Sequence, residues 1–284
     1  MNDNNYRPNG FSFLPTIIKN IIIINVLLFL LKIALYDKIN FDIDKYLGLH
    51  FFLADDFKPY QIISYMFMHG DFTHLLFNMF ALWMFGSALE NFWGTKKFII
   101  YFLVTGLGAA FFHYLILYYN ELRPAIEIIN NYINKPDIKE FESTILLITE
   151  KIHFNNSMRD LYNEFINTYN TLAWKDNQNI TNLSVEFMQQ LKTETYNAPN
   201  IIGASGAVFG MLLAFGMIFP NTLIYLYFFI PIKAKYFVII YGALEIYLGV
   251  SRNSNDNVAH FAHLGGMIFG YILIKYWDKK KHNY

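Results

Sequence analysis

The sequence predicts an all-α polytopic membrane protein: a bundle of six transmembrane helices with an extracytoplasmic, helical insertion between the third and the fourth. Three observations predict it. The 284 residues are 55% hydrophobic and 19% aromatic but only 15% charged, against about 25% charged in soluble domains. The apolar residues gather into six runs, each near the ~20 residues that a helix needs to cross a bilayer. A long polar stretch separates the third run from the fourth. The same composition excludes other classes. A mean hydropathy of +0.26 is incompatible with disorder, which requires low hydrophobicity. A formal net charge of +0 leaves no basic footprint for nucleic acid. With no cysteine, disulfides, thiol nucleophiles and cysteine-ligated metals are excluded.

Residues 1–16 are expected to form a cytoplasmic N-terminal segment. The first run, Ile17–Tyr36, follows a leader, Met1–Pro15, that lacks a basic cluster, and no A-x-A-like site follows the run. It is therefore expected to be a retained span and not a cleaved signal. The second run is Thr73–Trp93 and the third Lys97–Tyr119, which completes the first part of the core, 17–119. The polar stretch 120–200 holds eleven acidic against seven basic side chains. A structureless loop of that length would be unusual, and apolar residues recur at helical spacing in Phe141–Ile152 and Leu161–Leu172. Sequons at Asn155, Asn179 and Asn182 bear only on a eukaryotic secretory pathway. Gly203–Pro220, Ala234–Val250 and Val258–Trp277 are runs four to six and make the second part of the core, 201–277. A basic tail, 278–284, closes the chain. Lys96 and Lys97, Lys233 and Lys235, and Lys279, Lys280 and Lys281 fall on one side of this six-span arrangement, the side expected to be cytoplasmic. Lys38, Lys45, Lys58 and Arg252 fall on the other. Both termini are then cytoplasmic. With no organelle-targeting leader evident, a bacterial cytoplasmic (inner) membrane is the expected location.

Polar side chains within a membrane are costly and mark functional candidates. Three groups sit near the extracytoplasmic ends of their spans. In His69–Asn78, His74 and Asn78 are four residues apart, so a helix puts them on one face. Both can donate hydrogen bonds. They either stabilise a developing oxyanion or form a polar cluster at the water interface. In Gly203–Gly210, Ser205 opens an apolar helix among small residues, where free backbone N–H groups favour negative charge. Gly206-x-x-x-Gly210 reads equally as a helix-packing face, and a lone GxSG is not the full elbow of soluble hydrolases. In Ala259–Gly270, His260 and His263 begin the last span. A metal site needs more ligands at suitable spacing, and no HExxH occurs; a neutral histidine can instead act as a general base. Gly266 and Gly270 would let this helix approach the small face of the serine-bearing span. A nucleophile, a base and two oxyanion donors on three spans at one membrane face are the minimum set for acyl transfer.

These residues resemble the rhomboid family of intramembrane serine proteases. The resemblance covers roughly residues 17–119 and 200–277, and rests on His74-x-x-x-Asn78, Gly203-x-Ser205-Gly206 and Ala259–Gly270, with Glu90 and Phe209 also fitting. It implies a rhomboid-like bundle and a Ser–His dyad without a carboxylate. Ser205 is implied as nucleophile. His263, which precedes Leu264–Gly265, is implied as base in preference to His260. His74, Asn78 and the Ser205 amide would hold the oxyanion, and His69 would be structural or water-organising. Gly203 would let the serine turn approach substrate, and Gly206 belongs to the same motif. Phe209 would either stack on His263 or pack the core. The chain departs from the family in two places. Tyr60–Gln61 stands where the family often has Trp–Arg, and the 120–200 insertion is longer than the corresponding loop.

The implied activity is hydrolysis of peptide bonds in or near transmembrane segments of protein substrates within the lipid bilayer, with no metal or organic cofactor. The alternative is a catalytically idle rhomboid-like protein that binds membrane clients for quality control or trafficking. Such a protein would be free to lose Ser205 or His263, and this chain keeps both. A transporter would show paired inverted repeats with broken helices, and no such pair is evident. Glu245 lies inside predicted span five, where an acid is expensive. It is expected to hydrogen-bond a neighbouring helix in its neutral form, or alternatively to help gate substrate entry. His113 is expected at the outer end of span three without a catalytic role.

Overall fold

A computed structural model describes residues 12–172, 177–226, 229–251 and 259–281. Most of the N-terminal leader, Arg252 and Val258 lie outside the described residues. In chain order the elements are α1 (Thr16–Ile39), α2 (Asp44–Leu47), β1 (Leu49–His50), α3 (Gln61–Ser64), α4 (Phe72–Ala81), α5 (Ser87–Trp93) and α6 (Thr95–Leu117). Then follow α7 (Arg123–Asn134), α8 (Phe141–Thr149), α9 (Asn156–Leu172), α10 (Asn177–Asn197), β2 (Asn200–Ile201) and α11 (Ser205–Ile218). A hairpin of β3 (Leu223–Leu226) and β4 (Ile230–Lys233) leads into α12 (Ala234–Ser251), and α13 (His260–Lys281) ends the described chain.

Each of the six apolar runs is helical. A π-type turn, Leu82–Gly86, joins α4 to α5 within the second. Among the described residues, four helical stretches are long and apolar enough to cross a membrane: Thr16–Ile39, Phe72–Trp93, Thr95–Asn134 and Ala234–Ser251. The chain is an integral membrane protein. The serine-bearing α11 is apolar but has only 14 residues. Helix α13 has 22 residues, but His260, His263, Lys275 and the terminal lysines dilute its hydropathy. The third run does not stop near Tyr119. Helix continues to Asn134 through a second π-type turn, Tyr118–Leu122, just ahead of Pro124, which cannot donate a helical N–H.

The chain divides into two compact units. The first comprises 1–48, 62–113 and 202–284. Its helices turn apolar side chains outward, among them Leu27 and Leu30 of α1 and Ile239, Tyr247 and Val250 of α12. In a bilayer these faces meet lipid and not water. Its centre is the pairing of α11 with α13. A Cβ on Gly266 would lie 1.8 Å from the Gly206 carbonyl oxygen, and one on Gly210 would lie 3.0 Å from that of Gly266. The two backbones touch because glycines leave room for nothing else. Tyr101 and Thr105 of α6 complete the layer, with Tyr101 Oη donating to Gly210 O at 2.8 Å. Glu90 of α5 caps α1: its carboxylate accepts from the N–H of Ile17 at 3.2 Å and of Ile18 at 3.0 Å. These are first-turn donors with no partner inside their own helix.

The second unit comprises 49–61 and 114–201. Helices α7 to α10 enclose a core of their own that includes Ile129, Phe141, Ile148, Met158, Phe165, Phe187 and Leu191. Tyr132 Oη meets Ser184 Oγ at 2.9 Å within it. Phe141–Ile152 and Leu161–Leu172 fall within or beside helices α8 and α9; α7 and α10 go beyond what their spacing predicts. Strands β1 and β2 pair antiparallel, Leu49 with Ile201 and His50 with Asn200. The Gln61 side chain organises its loop, accepting from Lys58 N at 3.0 Å and donating to Asp56 O at 3.0 Å.

Candidate active site

Ser205 is the first residue of α11. The turn before it is held by Gly203, whose N–H donates to Tyr65 O at 2.8 Å. Gly203 has φ +123°, and a Cβ there would lie 2.9 Å from Cε1 and Nε2 of His74. Only glycine meets both conditions. The His74 ring is thereby set against the serine turn. Gly70 N–H points at His74 Nδ1 at 3.4 Å. That assigns the ring hydrogen to Nε2, the nitrogen nearest Gly203.

His74 and Asn78 lie on successive turns of α4, which Asp71 caps by accepting from His74 N at 2.9 Å. One Asn78 Nδ2–H is spent on His74 O at 2.9 Å, leaving the other for a ligand. His69 lies edge-on to His74, with ring centroids 4.9 Å apart. Burial first, then the neighbouring His74 and Lys32, hold its pKa down to about 3, so it is neutral at physiological pH. Lys32 of α1 fixes the same loop, donating to His69 O and to Gly70 O, both at 2.8 Å, and to Asp44 Oδ2.

His263 sits one turn into α13. Its Nε2 is 2.9 Å from Ser205 Oγ. Its ring lies flat on Phe209, at 4.1 Å between centroids and 6° between planes. Its Nδ1 is 2.9 Å from Glu245 Oε2, and His260 Nδ1 is 2.7 Å from the same oxygen. A carboxylate accepts, so each Nδ1 carries the hydrogen and His263 Nε2 is left to accept from the Ser205 hydroxyl. The expected dyad had no carboxylate; here Glu245 occupies the far side of the histidine. The sequence led to a helix–helix hydrogen bond for Glu245 but not to His263 as its partner, and it gave no sign of the role of Lys32. The signal for Glu245 was an acid in an otherwise apolar helix.

Glu245, His260 and His263 also have ligand types suited to a metal, with their ligand atoms within 4.8 Å of one another. The separations of 2.7 and 2.9 Å are those of hydrogen bonds. Atoms sharing a tetrahedral zinc would stand about 3.3 Å apart.

The family model described as Rhomboid domain matches residues 56–126 and 179–278, more than half of the chain. The chain belongs to the rhomboid family. Rhomboids are typically intramembrane serine proteases that act on membrane-protein substrates within the bilayer. The match omits residues 127–178, which lie in the second unit. No curated protein matches the chain.

Proposed function

We propose that this rhomboid is an active intramembrane serine endopeptidase in which Ser205 is the nucleophile and His263 the general base. The observation that carries this reading is the 2.9 Å contact between Ser205 Oγ and His263 Nε2, within reach for direct proton transfer. Ser205 Oγ attacks the scissile carbonyl while His263 Nε2 takes its proton. The His74 ring, the free Asn78 N–H and the Ser205 backbone N–H are suited to the oxyanion. A well-placed donor contributes about 2.7–4 kcal/mol to such a transition state. The Nε2 proton then passes to the leaving amine, and water resolves the acyl-enzyme by the same route in reverse.

Substrates of this reaction are single-pass membrane proteins with small or helix-weakening residues near the extracytoplasmic face, because an intact helix hides its carbonyls in i→i−4 bonds. In this reading both termini are cytoplasmic, the insertion is extracytoplasmic, and the host membrane is a bacterial inner membrane. The test uses the full chain in lipid vesicles with a model substrate carrying a cleavable transmembrane segment. Wild type is expected to cleave, and folded Ser205→Ala and His263→Ala proteins are not. Cleavage by Ser205→Ala at the wild-type rate would remove the assigned nucleophile. A wild-type serine that a fluorophosphonate probe fails to label would favour an idle, client-binding rhomboid.

A further inference from the structure

We propose that Glu245 completes a Ser205–His263–Glu245 triad, positioning His263 for catalysis, with His260 as the second donor that fixes the carboxylate. This rests on the serine-protease reading and adds a member to its machinery. The buried residues of α12 are Ala234, Val238 and Glu245, while most of its other large side chains face outward. An acid turned inward from such a helix requires partners that offset its desolvation. Those partners are two imidazole Nδ1 atoms on one oxygen, at 2.7 and 2.9 Å.

A clamp between α12 and α13 would need only His260. The second bond falls on the one atom of His263 whose protonation decides what Nε2 can do. With hydrogen on Nδ1, Nε2 accepts from Ser205; with hydrogen on Nε2, the ring faces the serine as a donor and cannot act as a base. Phe209 fixes the plane of the ring by stacking. Glu245 fixes its rotation within that plane and its tautomer.

In the chemical step the Ser205 O–H pair becomes the new O–C bond and the carbonyl π pair moves onto the oxygen. The serine proton arrives at His263 Nε2. The ring is then an imidazolium whose Nδ1–H stays in place, directed at the negative charge of Glu245. That charge stabilises the imidazolium without itself taking the proton. Breakage of the C–N bond returns the Nε2 proton to the leaving nitrogen, and the cycle repeats with water.

The test compares wild type, Glu245→Gln, Glu245→Asp, Ser205→Ala and His263→Ala as full chains in the same vesicle assay, recording kcat, KM and the thermal midpoint. Glu245→Gln is expected to lose kcat by about 10- to 10⁴-fold, the upper figure being the cost of amidating the triad carboxylate in a soluble serine protease. KM and the thermal midpoint should stay near wild type, and Glu245→Asp should recover part of kcat. A folded Glu245→Gln protein with wild-type kcat overturns the triad while leaving Ser205 and His263 in their roles. A kcat loss that follows a falling thermal midpoint equally in both Glu245 variants overturns it in favour of a helix clamp. Ser205→Ala that still cleaves would instead sink the protease reading itself. A measurement that needs no variant of Glu245 is ¹⁵N NMR of histidine-labelled protein in bilayers, with His263 assigned by difference from His263→Gln. Hydrogen on Nδ1 is expected, and hydrogen on Nε2 overturns the proposal.

Discussion

Gly203 shows how much of this site depends on single atoms that are missing. Its φ of +123° and the 2.9 Å between a would-be Cβ and the His74 ring are independent demands on one position. Gly203→Ala adds backbone strain of about 1–3 kcal/mol and pushes the ring off the serine turn. A misplacement near 1 Å can cost about 100-fold in rate. We expect kcat/KM for the model substrate to fall by about that factor in a protein that still folds; wild-type cleavage by Gly203→Ala would detach His74 from the oxyanion role. Ser205 in its small-residue turn and the shared face of His74 and Asn78 were legible in the residues themselves, because a turn and a helical period each fix local geometry, whereas His263 was separated from His260 only by the family resemblance. That Glu245 bonds a neighbouring helix was legible too, as an acid inside an apolar span; which side chains it meets was not. The contacts join residues 15 and 18 positions apart on two helices, and their relative rotation is set by packing. Periodicity also concealed the competition at Asn78, where the spacing that brings it beside His74 lets its amide bond the His74 carbonyl.

Helices α11 and α13 carry the proposed nucleophile and the proposed base, and their backbones meet at Gly206 and Gly266. The spacing of Ser205 and His263 is thus set by main chain and not by adjustable side chains. Gly266→Ala puts a methyl 1.8 Å from the Gly206 carbonyl, and the helices must part. Overpacking costs typically about 1–3 kcal/mol, and a backbone obstacle puts this variant at or above the upper end. Its thermal midpoint and its cleavage rate should fall together. Gly242→Ala is the control, since its Cβ meets only the flexible end of Met267 at 3.3 Å. A Gly266→Ala protein with an unchanged midpoint would contradict the close approach. The small-residue stripes were readable as a packing face. The hairpin β3–β4 was not: Leu223–Leu226 and Ile230–Lys233 are short apolar runs, which periodicity cannot separate from the end of a helix. Nor were the two π-type turns, which leave no signature in hydrophobic spacing.

For the whole molecule, composition and hydropathy determine the solvent. A chain with so few charges and so many outward apolar side chains is made for lipid, and that much was legible before any coordinates. The core of the second unit was legible only in part, because Asn-rich helices such as α10 show weak apolar periodicity and are stabilised by packing. The absence of cysteine makes the proposed orientation simple to test with single cysteines at exposed positions. Ser157→Cys, in α9, should react with a membrane-impermeant maleimide on intact cells. Lys96→Cys and Lys280→Cys should react only after permeabilisation. The reverse pattern would invert the assigned sides.

The cap on α1 has a consequence for how the chain is made. Glu90 lies 73 residues after Ile17, whose N–H it accepts. At about 5–20 residues per second, the ribosome delivers it roughly 4–15 s after that N–H has been synthesised. For that interval the first helix waits with its leading end open. Its final seating is therefore a late event of biogenesis, completed only when the second hydrophobic segment has entered the bilayer beside it.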